Sequence, residues 1–241
     1  MKPSNSSHNH LQQNVGSLIN NQNSVPNASP LTASSYDEFK SALTGSGCDL
    51  CASLKAGRHS IVVDRGNSKS AILLVGEAPG EKEDLTGRAF VGRAGKLLDE
   101  VMAAIGLDTN QDTLIVNVVK CRPPENRAPT QDEAARCRPF LEWQIAHTKP
   151  KVMVLLGATA ARHFFPPEQI KTMKSVVGQF LKSPRYPDVT FQILYHPAYI
   201  LRDPRKKKIM LEHLEQLSAL LLVKCLHPDP KRQRDLLEVP S

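Results

Sequence analysis

Apolar residues recur along this chain in two spacings. Residues 70–75, 113–118, 151–156 and 190–195 each carry a nearly continuous apolar run, the pattern of a strand buried on both faces. Residues 61–64 form a shorter run that predicts a further short strand. Between these runs the spacing becomes helical. Leu97, Leu98, Val101, Met102 and Ile105 share one face over residues 95–105, which Gly106 ends. Helices are also predicted over residues 37–43, 130–146, 158–165 and 205–226, and Thr130 with Glu133 spells a capping box. Residues 122–129 hold three prolines and read as a loop. Strands alternating with helices predict an α/β fold, with a mainly parallel sheet covered on both faces.

In such sheets ligands sit outside the carboxyl ends of the strands. Three polar segments follow predicted strands directly: 76–84, 117–121 and 196–202. They are expected to surround one crevice.

The flanks differ from this body. Residues 1–34 are rich in Asn, Ser, Gln and His and poor in large apolar groups. They bury too little surface to offset ordering entropy, so a disordered extension is expected there. Residues 35–227 read as one domain and 228–241 as a polar tail. No run approaches a membrane span, and residues 1–34 lack the basic and apolar blocks of a secretory signal. The expectation is a cytoplasmic, monomeric protein with no membrane partner.

The 241 residues are 40% hydrophobic and 23% charged, an ordinary globular balance. The net charge of +7 is compatible with a polyanion partner and equally with plain solubility. Its placement favours the former, because Arg202, Arg205, Lys206, Lys207 and Lys208 crowd together after a His-Pro turn.

The chain has five cysteines. In a reducing compartment they serve metal ligation, catalysis or burial rather than disulfides. Cys225 has no partner spacing and reads as core filler on an apolar helical face. Cys48 and Cys51 form a C-x-x-C, and Cys121 and Cys137 lie far downstream. Four thiols from separate segments can surround one metal centre, either zinc or an iron–sulfur cube. Spacing leaves that choice open, with two buried pairs as the plain alternative.

Gly76-Glu77-Ala78-Pro79-Gly80 is neither a dinucleotide fingerprint nor a P-loop, and Glu77, Glu81, Glu83 and Asp84 argue against phosphate binding. Phe90 stands in a Gly-flanked loop of a chain that is only 5% aromatic; it is a core plug or a stacking plate for a planar ligand. Asn117 ends a strand and offers both a donor and an acceptor, which suits the edge of a nucleobase. His196, before Pro197, can donate to a ligand oxygen. Singly, each is most simply structural. Their convergence at one crevice carries the functional reading.

These motifs resemble the family 4 uracil-DNA glycosylases, the iron–sulfur branch of that superfamily in bacteria and archaea. The resemblance lies in GEAPGEKEDLTGRAFVGRAGKLLD (76–99), NVVKCRPPENR (117–127), CRPFLEWQI (137–145), KVMVLLGATAAR (151–162) and YHPAYILR (195–202). It implies a three-layer α/β/α fold with a central four-stranded parallel sheet. It also implies a structural 4Fe–4S cluster on Cys48, Cys51, Cys121 and Cys137, and removal of uracil from DNA as the first step of base excision repair.

By motif, Phe90 matches the residue that stacks on the flipped uracil, Asn117 the one that reads its Watson–Crick edge, and His196 the one that hydrogen-bonds O2. Gly76 and Glu83 belong to the uracil pocket. Glu83 is expected near C5. Ala78 falls where the founding members of the superfamily carry a water-activating Asp, so Glu77 is expected to orient the water, with Glu83 second. Ile200, or Tyr199 beside it, is expected to wedge into the vacated stack, with Arg202 and Lys206 on phosphates. Ala198 stands where many relatives have Ser. The loop after Cys121 lacks the inserted basic-His segment of relatives that bond covalently to uracil-DNA, so turnover is expected. Two competing readings are a non-catalytic iron–sulfur module that senses lesions, and a zinc-clamped enzyme acting on free nucleotides.

Overall fold

The computed structural model describes residues 29–229. A 3-10 turn at Pro30–Thr32 leads into α1 (Tyr36–Gly45), α2 (Ala52–Lys55), β1 (Arg65–Gly66), β2 (Ile72–Gly76), α3 (Glu81–Thr86) and α4 (Arg93–Ala104). Then follow β3 (Leu114–Asn117), α5 (Gln131–Thr148), β4 (Val152–Leu156), α6 (Ala158–Phe164) and α7 (Met173–Val176). The chain continues through β5 (Phe180–Ser183), β6 (Tyr186–Leu194), α8 (Pro197–Arg202) and α9 (Lys206–Val223).

The strands form one sheet in the order β1-β3-β2-β4-β6-β5. β3, β2, β4 and β6 are mutually parallel, while β1 and β5 add antiparallel edges. The sheet is therefore six-stranded around the expected four parallel strands. Every residue of β2, β3 and β4 is buried, because alternate side chains feed separate cores. Leu73, Val75, Leu114 and Val116 pack with α1 and α5; Ile72, Leu74, Ile115 and Val154 pack with α4 and α9. Two apolar layers on opposite faces of one sheet give the α/β/α sandwich.

The capping box is present as read: Thr130 Oγ1 accepts from Glu133 N at 3.1 Å, and Glu133 Oε2 accepts from Thr130 N at 2.8 Å. Other expectations need correction. Residues 61–64 are buried but form no strand. They pass the end of β3, where Val62 N donates to the Lys120 carbonyl at 2.7 Å, and ladder pairing begins only at Arg65. β6 starts at Tyr186 rather than residue 190, because it forms a hairpin with β5 in which Tyr186, Phe191 and Gln192 are paired. β5 is half exposed, so it lacks an apolar run. Cys225 lies past the end of α9, exposed and at φ 55°, so it fills no core. Residues 1–28 of the amino-terminal extension, and the tail from 230 on, lie outside the described residues. The boundary drawn at residue 34 falls just after a turn, where Ser34 N and Oγ both donate to Glu38 Oε2 at 2.7 Å.

Candidate active site

Because β2, β3, β4 and β6 are parallel, Gly76, Asn117, Gly157 and His196 all emerge at one edge of the sheet. The chain runs from β2 outward to β3 and then crosses back to β4, so a crevice opens at this switch point. A cleft of about 310 Å³ lies there, the size of a small-ligand site. Glu77, Glu83, Phe90, Asn117, His196 and Arg202 line it. The three segments singled out from the strand pattern do meet.

Phe90 is 5% exposed and sits in the left-handed region at φ 53°. Two glycines make room for it. A Cβ on Gly76 would come within 2.6 Å of the Phe90 ring and would strike the Asn117 amide; one on Gly95 would run into the Phe90 carbonyl. Gly76 therefore underlies the ring.

Asn117 is 1% exposed, and neither Oδ1 nor Nδ2 has a partner. Among the described residues it is the one side chain with both ends of a buried amide unsatisfied. Buried polar groups are nearly always bonded, so an amide open at both ends has one donor and one acceptor to offer a group entering the cleft.

His196 is the N-cap of α8, and its Nδ1 accepts from Ala198 N at 3.1 Å. That bond assigns the ring proton to Nε2. Burial, with the Arg202 charge behind it, pushes the imidazole pKa down to about 4. The ring is thus neutral near pH 7 and carries one N–H donor. Its centroid lies 5.7 Å from that of Phe90.

Glu77 follows β2 and accepts a hydrogen bond from Thr159 Oγ1 at the start of α6. Thr159 was not singled out from sequence; only the pairing of β2 with β4 brings it to Glu77. Glu83 borders the cleft, but its Oε1 accepts from Val91 N at 2.8 Å and Gly92 N at 2.7 Å. Through Oε1 that carboxylate anchors the Phe90 loop, and the side chain still lines the cleft.

Ile200 is corrected. It is 2% exposed and packs into the core beneath α8, whereas Tyr199 and Leu201 are each 37% exposed. Arg202 reaches the cleft. Of the basic run, Arg205 pairs with Asp203 and Lys207 with Glu100, each at 2.7 Å. Among the described residues Arg202, Lys206 and Lys208 form no ion pair, and so remain available to an external anion.

The sequence reading also missed the rim. Pro123, Asn126 and Arg127 line the cleft, from a loop in which Glu125 and Asn126 both have positive φ. Arg127 is clamped by Glu133 at 2.7 and 2.8 Å, and holds that carboxyl down to about 2. Glu133 also accepts from Ser53 Oγ at 2.8 Å. One carboxylate thereby ties the rim loop to α2, the helix that follows Cys51.

The four cysteines gather around the helices beside this rim. Cys121 and Cys137 are buried, and Cys48 and Cys51 pack against the same core. Burial raises the thiols of Cys51 and Cys121 and takes Cys137 up to about 12; neighbouring sulfurs of the set add to each rise. Donors already face two sulfurs: Arg58 Nη1 lies 3.3 Å from Cys121 Sγ, and Lys120 N lies 3.3 Å from Cys137 Sγ. Among the described residues no three His, Cys, Asp or Glu converge to hold a single metal ion. Also among the described residues, no helix is long and apolar enough to cross a membrane.

Comparison with known proteins agrees with this architecture. The family profile of the uracil DNA glycosylase superfamily matches residues 63–218. The type-4 uracil-DNA glycosylase of Thermotoga maritima is 42% identical over 72% of this chain and 89% of its own length. That of Archaeoglobus fulgidus is 43% identical, covering 67% of this chain and 81% of its own. That of Sulfurisphaera tokodaii is 39% identical, covering 68% and 76%. This chain belongs to the uracil DNA glycosylase superfamily, within its type-4 branch.

Proposed function

We propose that the cleft between Phe90, Asn117 and His196 receives a uracil swung out of DNA. The chain is a DNA glycosylase that hydrolyses the N-glycosidic bond of deoxyuridine, the opening step of base excision repair. The observation that supports this pocket assignment is the Asn117 amide, buried and open at both ends.

Uracil within a duplex is unreachable and must be extruded. In the cleft it stacks on Phe90. Asn117 Oδ1 accepts from N3–H and Nδ2 donates to O4; cytosine presents the reverse at both positions and leaves both amide atoms unsatisfied. Arg202 and Lys206 hold backbone phosphates, so binding weakens with salt.

As the C1′–N1 bond breaks, its electron pair passes to the base and charge gathers on O2. The Nε2–H of His196 points its dipole at that oxygen and binds the developing anion more tightly than the neutral base. A neutral imidazole suits this role, since it enters as a fixed donor without a charge to desolvate. Water adds to C1′ of the oxocarbenium-like sugar. Glu77, steadied by Thr159, orients that water and takes its proton, which then passes to the departing uracil anion.

Cys48, Cys51, Cys121 and Cys137 fit a 4Fe–4S cluster: an all-sulfur donor set from three chain segments, packed against one core, with Cys51, Cys121 and Cys137 each raised further by neighbouring sulfurs of the set. Bound there, such a cluster cross-links those segments and compensates their thiolate charge; the hydrolysis itself needs no electron.

The test is incubation of single-stranded oligonucleotides, with and without uracil, with wild type, Asn117→Ala and His196→Ala. Losing one oxyanion donor commonly costs about 10²–10³ in rate. Wild-type cleavage confined to the uracil strand, with both variants falling by at least about tenfold, supports the pocket. Near-normal turnover in both variants rejects it.

A further inference from the structure

Lys120 is a charge in an unexpected place. It is 1% exposed, and burying an ammonium is costly unless its donors are met. Nζ donates to the Asn117 carbonyl at 2.9 Å and to Gln144 Oε1 at 2.5 Å. Gln144 is fixed in turn, its Nε2 donating to Tyr36 Oη at 2.7 Å and to the Val63 carbonyl at 3.3 Å. The main chain of Lys120 is held as well: its N–H faces Cys137 Sγ at 3.3 Å, and its carbonyl accepts from Val62 N at 2.7 Å.

Asn117 needs such an anchor. It is the last residue of β3, and no side-chain hydrogen bond holds its amide. Its direction is set by packing and by where its main chain lies. The ladder continues past it only through Val118 N and Val119 N, which donate to the carbonyls of Gly76 and Glu77 at 3.0 and 3.2 Å. The Asn117 carbonyl is taken by the lysine three residues on. A two-point reading of a base edge tolerates little displacement, since hydrogen bonds weaken steeply with poor alignment.

We propose that Lys120 is a positioning residue for base recognition: its ammonium fixes the main chain of Asn117 so that the open amide meets the base squarely, and its own N–H ties that position to Cys137. The proposal rests on the uracil reading of the cleft. It gives the four-thiol set a direct route to substrate selection, besides its tie through Glu133 to the rim.

The test uses the full chain as purified, with iron per chain measured. Lys120→Met keeps length and apolar stem and removes the donors. Free uracil binding is measured by calorimetry, along with kcat/KM on uracil-containing and cytosine-containing single strands. A lost hydrogen bond from a charged group corresponds to about tenfold or more. The expected result is uracil binding weaker by about that factor, with a like fall in kcat/KM and a narrower preference for uracil over cytosine. A general loss of fold would lower the melting temperature and the active fraction, but not the affinity of the molecules that remain folded. Binding and selectivity within about threefold of wild type would overturn the proposal. If Lys120→Met fails to fold, Gln144→Leu is read in the same assays; it removes the second anchor of the ammonium, and wild-type uracil binding there would also overturn it. Wild-type protein that neither binds nor excises uracil sinks the pocket reading and this proposal with it. Normal wild-type binding with an indifferent Lys120 variant sinks this proposal alone.

Discussion

Glu83 Oε1 accepts the main-chain N–H of Gly92 at 2.7 Å, closing the loop that holds Phe90 over Gly76. The same oxygen takes Val91 N at 2.8 Å. Gly92 is the N-cap of α4, so the carboxylate also stands at the positive end of that helix. Glu83→Ala strips two N–H groups of a charged acceptor and is expected to cost about 2–4 kcal/mol in denaturant melts. Glu83→Gln keeps an acceptor and should cost less. Both should lower kcat/KM by loosening Phe90. A Glu83→Ala protein of unchanged stability that began to attack thymine would instead restore the carboxylate to a place over the base.

His196 sets a pH signature. Its folded pKa is near 4, below the unfolded value of about 6.5. Between these values the unfolded chain binds a proton that the folded chain refuses, so stability falls as pH drops from about 6.5 toward 4. His163, also pushed down to about 4, and His213, lowered as well, act in the same direction. The share of His196 is therefore read as the difference between wild type and His196→Asn, whose melts should depend less on pH across that window. The kcat/KM of the folded enzyme should show no histidine ionisation near pH 6.5. An activity step there would mean that the imidazole titrates normally and is not the fixed neutral donor.

Much of this was legible in the residues, for physical reasons. Strands buried on both faces must be apolar throughout, so β2, β3 and β4 declare themselves. A parallel sheet then delivers everything that follows those strands to one edge, which is why Glu77, Asn117 and His196 could be grouped from the strand pattern, whereas Phe90, well past the end of β2, joined them only through the motif that the chain shares with the family. What stayed hidden depends on phase and on neighbours. In α8, Tyr199, Ile200 and Leu201 are all apolar over a helix too short to show a period, so burial of Ile200 alone could not be read. Thr159 meets Glu77 only because β4 lies beside β2. Glu83 is one carboxylate among several near the cleft, and its acceptor role depends on a loop with left-handed backbone at Phe90 rather than at a glycine.

The burial of Ile200 separates two kinds of loss. Ile200→Ala opens the core under α8 and is expected to cost about 2–5 kcal/mol, with equal effect on single-stranded and duplex substrates once corrected for folded protein. Leu201→Ala and Tyr199→Ala remove exposed apolar surface next to Arg202. They should leave melting nearly unchanged and depress duplex cleavage more than single-strand cleavage, because only a duplex has a stack to refill. Equal losses on both substrates would take the wedge away from α8.

The thiol set predicts a coloured protein. With a 4Fe–4S cluster the purified chain should be brown and absorb near roughly 400 nm. Cys137→Ala should lose that absorbance and melt earlier, since Cys137 lies on α5 and Cys121 just after β3, and a cluster joining them would hold the rim loop between them. A colourless protein carrying one zinc per chain would reject the cluster and leave the clamp.

Glu77 and Thr159 test the hydrolytic step. The two side chains bridge the switch point between β2 and β4, so the threonine hydroxyl fixes one carboxylate oxygen and leaves the other for water. Thr159→Val preserves shape and removes the donor. It should lower kcat by about tenfold, the worth of one hydrogen bond to a charged group, with KM nearly constant because the base contacts lie elsewhere. Glu77→Gln should cost more, since an amide cannot take the proton from water, and Thr159→Val added to Glu77→Gln should then cost little further. Full additivity in this double-mutant cycle would show that the two act independently, and the water would need another guide.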